Sequence, residues 1–357
     1  MGDADAPWWA GDDDDDDDAQ YDEASIRSRP NPKANRPRTK RRPAHDDALT
    51  ARVLGVDRGR YTVLIDEDGP DEHEATAARA RELRRVPIVT GDRARVVGDV
   101  SGDEGTLSRI VGIEERSTLL RRSADDTDQV ERVIVANADQ MLVVVAAADP
   151  EPRARLVDRY LVAALDAGIA PLLVVTKTDL ADPTDFLRHF EGLDDLRVFR
   201  SARDAWPLAE IGEALAGHST VFVGHSGVGK STLVNALVPD ARRATGHVNE
   251  VTGRGRHTSS STVSLRYRGA TGNGWVIDTP GVRSFGLGHV DPNHIIDAFP
   301  DLARLAEECP RGCTHLADAP DCAIIEAVER GDLGPTGPGR LDSLQRLLET
   351  FAGKASP

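Results

Sequence analysis

Residues 1–48 carry no apolar periodicity and are built from Asp, Arg, Pro and Asn, so they cannot bury enough surface to offset chain entropy. The pattern predicts a disordered tail there. Short β-type runs begin at residue 51 and recur at 51–56, 61–65, 86–89, 93–97 and 107–113, with Gly and Asp at the breaks. Five short strands predict a small barrel spanning 49–118, of OB or SH3-like type. From 119 to 290 the texture changes to buried-type apolar strands at 141–147, 172–175, 198–201, 220–223 and 275–278. Amphipathic helical patterns lie between them at 156–167, 208–216 and 231–237. Strands that are apolar nearly throughout imply a parallel sheet covered on both faces, hence an α/β domain. The stretch 291–357 reads as helical and ends in a helix over 341–351.

Charge and cysteine content refine this picture. The chain of 357 residues has a formal charge of -16, which excludes a uniformly basic nucleic-acid binder. That average hides an acidic run at 12–18 beside a basic stretch (Arg27, Arg29, Lys33, Arg36, Arg38, Lys40, Arg41, Arg42) able to hold a polyanion. No apolar run is long enough to cross a bilayer, and the N-terminus lacks a basic-then-apolar leader, so a cytoplasmic location and no membrane partner are expected. The three cysteines cannot form a disulfide framework without an odd thiol. Cys309-x3-Cys313-x-His315-x6-Cys322 instead supplies three thiolates and one imidazole, the donor set of a closed tetrahedral zinc site.

The α/β domain carries the chemistry. Gly224-His225-Ser226-Gly227-Val228-Gly229-Lys230-Ser231, followed by Thr232, lies between a strand and a helix and matches G-x-x-x-x-G-K-S. Its glycines let backbone N–H groups turn towards phosphates, Lys230 can reach the β- and γ-phosphates, and the Ser231 hydroxyl can bind Mg²⁺. Thr176-Lys177-Thr178-Asp179 follows another buried strand, which places Asp179 at a carboxyl end, where open α/β sheets bind ligands. A carboxylate accepts from guanine's N1–H and exocyclic amine, a donor pair adenine lacks, so the site reads as one for GTP. Thr176 stands where the common form has Asn, so the tether between the base and the loop is expected to be weaker or rearranged. Ser201 and Ala202 end a third strand and are expected to meet the guanine oxygen. Asp278-Thr279-Pro280-Gly281 ends a fourth, with Asp278 holding Mg²⁺ through water and the Gly281 N–H meeting the γ-phosphate. Thr258, in the Gly-rich 253–261 stretch, is expected to complete the Mg²⁺ shell.

The order of these pieces, 176, 201, 224, 258, 278, is a permutation of the usual one, which begins at the P-loop. With a barrel before and a Cys/His module after, over about residues 50 to 330, the chain resembles the ribosome small-subunit-dependent GTPase A family (RsgA, formerly YjeQ). The matching residues are 224–231, 255–258, Asp278-Thr-Pro-Gly-Val-Arg283 and 309–322. The resemblance implies an OB-fold, a circularly permuted GTPase domain and a zinc domain. It also implies late maturation of the small ribosomal subunit, contact with its rRNA, and hydrolysis stimulated by that subunit. Val282 follows Gly281 and cannot orient water as the Gln of Ras-like proteins does. The resemblance assigns that role to His257, beside Thr258. A monomer is expected, the switch facing a larger partner. Two other readings are an RNA-binding scaffold with regulatory GTP binding and little turnover, and a small-molecule P-loop kinase or ATPase. Intact Lys230, Ser231 and Asp278 argue against the first, and the Asp179 motif with the permuted order argues against the second.

Overall fold

A computed structural model describes residues 45–83, 86–122, 132–191, 193, 195–203, 205–239, 262–279, 287 and 290–352. Residues 1–44 of the expected 1–48 tail, the 253–261 stretch with His257 and Thr258, and Gly281 lie outside the described residues.

The barrel is formed by β1 (Leu49–Asp57), β2 (Arg60–Ile65), β3 (His73–Arg79), β4 (Arg93–Gly98) and β5 (Ser108–Ile113). Pairing runs β1-β2-β3-β5-β4 and closes through β1–β4, with β3 and β5 parallel and every other pair antiparallel. This is a five-stranded OB-type closure. Inward positions fall on alternate residues, and Ala51, Val53, Tyr61, Val63, Ala77, Ala94, Val96 and Ile110 fill the core. Leu54, next to inward Val53, faces outward, and the register shift between Val53 and Gly55 returns Val56 to the core side. The number of strands agrees with expectation, but the expected 86–89 strand does not form. Pro87 has no N–H to give a ladder, its carbonyl accepts from Arg116 (2.6 Å), and the Val89 N–H goes to the Asp92 carboxylate (2.8 Å). Its place is taken by β3, His-Glu-Ala-Thr-Ala-Ala-Arg, whose inward residues Ala75 and Ala77 are too small to stand out as an apolar run.

A hairpin of β6 (Leu119–Arg122) and β7 (Arg132–Ala136) leads into the α/β part. Its strands are β8 (Gln140–Ala146), β9 (Ala170–Thr176), β10 (Arg197–Arg200), β11 (Ser219–Gly224), β12 (Val263–Arg268) and β13 (Asn273–Asp278). The order β10-β9-β8-β11-β13 is parallel throughout, and β12 adds antiparallel on β13. The helices are α1 (Ala154–Asp166), α2 (Thr184–Leu187), α3 (Leu208–Leu215) and α4 (Lys230–Leu237). Leu142 and Val144 of β8 enter one core with α3 and α4, while Met141 and Val143 enter the other with α1, so every residue of β8 is buried. Each such Val or Leu contributes about 1.5–3 kcal/mol.

The C-terminal part holds α5 (Pro300–Ala306), α6 (Ala323–Arg330) and α7 (Gly337–Ala352). It is joined to the α/β part by apolar contacts and by polar links, among them Arg155 on α1 with Asp342 on α7 (3.2 Å). Arg340, 2% exposed, forks onto Asp301, donates to His189 O (2.9 Å) and lies over the Phe299 ring. Ser343 donates to Asp158, buried on α1.

Candidate nucleotide site and metal centre

Because β8, β9, β10, β11 and β13 are parallel, their carboxyl ends lie along one edge of the sheet, and the loops that follow them assemble the site. Gly224 ends β11 against β8, where a Cβ would meet Val144 O at 2.5 Å. Gly229 precedes α4 with φ +93°, a conformation that side chains disfavour, and this turns the chain from loop into helix. Between them Val228 is buried in the α3/α4 core and fixes the loop, while Ser226 and Gly227 are exposed. Ser231 and Thr232 are exposed on the first turn of α4, and Lys230, 8% exposed, ion-pairs with Asp278 at the end of β13. The Thr279 hydroxyl donates to Phe222 O (2.7 Å), tying the loop after β13 to the P-loop strand.

The base-reading loop is joined directly to this one. The Thr176 hydroxyl is buried and lies 2.6 Å from Val228 O, to which it donates, and 3.2 Å from Val145 O. Thr176, at the position where the common motif has Asn, thus ties the base-reading loop to the P-loop through its hydroxyl. Lys177, at φ 55°, donates to Asp149 O in the loop after β8. Asp179 is exposed and accepts from the Arg203 N–H (2.9 Å), and the Thr178 N–H donates to Ser201 O (3.1 Å). Ser201 is buried, its hydroxyl on Ala202 O (3.2 Å). His225 faces Ser226 O (3.0 Å) and lines a cavity with Val144, Pro150, Arg153, Leu156 and Tyr160.

The structure thus brings together Thr176, Lys177, Asp179, Ser201, Ala202, the 224–232 segment and Asp278. The sequence reading did not identify the Asp149 carbonyl or the Arg203 N–H. Both are backbone groups, for which residue type gives no signal.

Cys309, Cys313, His315 and Cys322 place their donor atoms within 4.8 Å of one another and can hold a metal ion. Cys309 Sγ lies 3.7 Å from His315 Nδ1 and 3.9 Å from Cys322 Sγ, and Cys322 Sγ lies 3.6 Å from His315 Nδ1. Cys322 is the residue before α6 and is 2% exposed. Burial pushes its thiol up to about 11 and lowers the His315 imidazole below 6.5. The shift favours the neutral imidazole, the form that ligates metal.

A family model described as RsgA GTPase matches residues 113–288. The chain is 37% identical over 335 residues to the small ribosomal subunit biogenesis GTPase RsgA of Alcanivorax borkumensis, covering 88% of this chain and 91% of that protein. It is 40% identical over 275 residues to the protein of the same name from Pseudomonas aeruginosa, covering 74% and 76%. Among solved structures, YjeQ from Thermotoga maritima superposes with a TM-score of 0.64 at 24% identity, over 86% of this chain and 99% of that one. YloQ, described as a circularly permuted GTPase, superposes with a TM-score of 0.62 at 25% identity, over 89% and 99%.

Proposed function

The chain belongs to the RsgA family of GTPases, and from that premise we propose that it acts as a late-stage assembly factor on the small ribosomal subunit, which stimulates its turnover of GTP. The relatives named small ribosomal subunit biogenesis GTPase support the subunit part of the reading, and the Thr176–Val228 hydrogen bond, which joins the base-reading loop to the P-loop, supports the nucleotide part. Asp179 has about four lone-pair sites, so the Arg203 N–H leaves capacity for guanine's donor pair. The Lys177 stem and the Ser201-Ala202 backbone flank the base.

At the phosphate end, Lys230 exchanges its contact with Asp278 for the β- and γ-phosphate oxygens. Ser231, Asp278 and Thr258 would hold Mg²⁺, which when bound would offset charge developing on the phosphates. Gly281 meets the γ-phosphate, and His257 orients the attacking water in place of a glutamine. The Cys309/Cys313/His315/Cys322 set supports zinc, because tetrahedral Zn–S bonds of about 2.3 Å place sulfurs about 3.8 Å apart. Four protein ligands leave no open coordination position, so that ion stiffens the C-terminal module for docking on rRNA or ribosomal protein.

In this reading the chain divides into a tail (1–48), the OB barrel (49–118), the permuted GTPase domain (119–290) and the zinc-binding helical module (291–357). It works in the cytoplasm as a monomer. No helix among the described residues is long and apolar enough to cross a membrane. The test is GTP turnover by the purified chain alone, with small subunits and with large subunits, beside Lys230→Ala. Stimulation by small subunits only, lost in the variant, is expected. Equal slow turnover in all three would sink the small subunit as activator.

A further inference from the structure

The barrel and the nucleotide site meet at a buried cluster of charged and aromatic groups that binding and hydrolysis of the nucleotide do not use. Trp275 lies on β13, three residues before Asp278, and its indole N–H donates to Glu67 Oε1 (2.8 Å) in the loop after β2. The same oxygen accepts from Arg52 Nε on β1 (2.9 Å) and lies 3.7 Å from Arg266 Nη1 on β12. The guanidiniums of Arg52 and Arg266 both lie over the Trp275 ring, at 4.7 and 4.8 Å from its centroid. Leu54 and Leu64 of the barrel close the apolar side of the ring. Further links run in parallel. Gly55 pairs with Val263, the Thr90 hydroxyl donates to Thr262 O (3.1 Å), Arg266 pairs with Asp68, and Arg268 with Glu72 (3.3 Å). Arg52 also reaches the hydroxyl of Ser219, where the P-loop strand begins (3.5 Å).

The barrel therefore grips β11, β12 and β13, and β11 and β13 end in the P-loop and in Asp278. With Arg52 and Trp275 each 6% exposed and Glu67 half-buried between them, a shift of one strand stretches hydrogen bonds to largely desolvated charges, which is costly. Strand position is thus shared between the barrel and the phosphate end of the site.

We propose that Trp275, Arg52, Arg266 and Glu67 are positioning residues that couple the barrel to the nucleotide site, so that the nucleotide state alters the barrel and a partner held by the barrel alters Asp278. This rests on the guanine-nucleotide reading above. By linkage the coupling is reciprocal, so it can be read without the partner.

The test is hydrogen–deuterium exchange on the full chain with GDP or with a non-hydrolysable GTP analogue and Mg²⁺. The barrel reporters are the N–H groups of Val53, bonded to Asp92 O, and Gly91, bonded to Val53 O. The wild type is expected to change exchange at these amides between the two nucleotides by about fivefold or more. Trp275→Leu, which keeps an apolar contact for Leu54 and Leu64, should abolish that change while the P-loop amides stay protected. If Trp275→Leu does not fold, Thr90→Val and Glu67→Gln are the milder variants, each expected to reduce the barrel response. A protected P-loop with a barrel indifferent to nucleotide overturns this proposal alone, as does a variant that retains the full response. A P-loop unprotected by either nucleotide refutes the guanine-nucleotide reading and the coupling together.

Discussion

Thr176→Val isolates the contribution of one hydroxyl to the nucleotide site. The side chain keeps its shape, and its methyl groups stay in a site only 2% exposed, but the donor to Val228 O is removed. Val228 O then lies in a buried setting without that partner, and leaving a buried carbonyl unpaired costs about 1–3 kcal/mol. The second acceptor, Val145 O at 3.2 Å, adds less because that contact is longer. Unfolding in urea should therefore show a stability loss of about 1–3 kcal/mol with an unchanged denaturant slope, since no surface is newly exposed in the native state. Nucleotide affinity should fall as well, because the P-loop and the base loop no longer hold one another before binding. If about 1.4 kcal/mol of that ordering is transferred to the binding step, fluorescent GDP binds about tenfold more weakly. Thr176→Ser retains the hydroxyl and should recover most of the affinity. A stability loss of the expected size with wild-type GDP affinity would refute the argument, because the hydrogen bond would then hold the fold and not the site.

Cys313→Ser should lower the metal content of the purified chain from one ion to a small fraction of one, read by elemental analysis. It should also lower the melting temperature, because α6 begins at a ligand and packs into the α1 core. His73 sits with Nδ1 on Asp71 O (2.6 Å) and Nε2 on Val100 O (2.7 Å), two acceptors that favour the doubly protonated ring and hold its pKa above 6.5. Its stabilising effect is full below 6.5 and is lost as pH rises through the higher folded value, so the difference in melting temperature between wild type and His73→Gln should shrink over that window. Asp158 has the same sign over a more acidic window. Burial raises its carboxyl to about 6, so between 3.8 and about 6 the native state holds the proton that the unfolded chain gives up, and stability falls as pH rises. Asp158→Asn, measured against wild type by unfolding across that range, should lack this fall. Asp179→Asn replaces an acceptor with a donor, so it should weaken GTP and favour xanthosine triphosphate, whose base offers a carbonyl where guanine has its amine.

The parts of this molecule visible in the sequence are those where side-chain type carries the structural instruction. β8, β9 and β11 are apolar along most of their length because both faces of the sheet are covered, and the glycines of 224–229 announce a turn that other residues cannot make. The Cys/His spacing likewise survived folding, since four donors do converge. β3 was not visible because alanine fills its inward positions, and β12 because its sequence, Val-Ser-Leu-Arg-Tyr-Arg, spends polar groups on the contact with the barrel. In the site, the contacts made by Asp149 and Arg203 are main-chain groups aimed by φ and ψ, and one of them depends on a positive φ at Lys177. Thr176 was visible as a departure from the common motif, yet only coordinates reveal that its hydroxyl reaches Val228.

The permuted order explains why the barrel and the metal-binding module can both bear on one strand. In this chain β12 and β13 come after the base-reading strand rather than before it, and they form the margin of the parallel sheet on its barrel side. An antiparallel hairpin at that margin has an open ladder edge, and an unpaired edge must be covered or it recruits other strands. β1 covers it, and through Arg52 and Glu67 the barrel is anchored to the strand that ends in Asp278. The chain then runs from Asp278 towards the metal cluster, whose helices pack on α1, and α1 follows the Asp149 loop that Lys177 holds. A chain that began at the P-loop would place β12 and β13 early and the base-reading strand late, so a C-terminal module would grow from the guanine end of the site. Here it grows from the phosphate end, the end that differs between GTP and GDP.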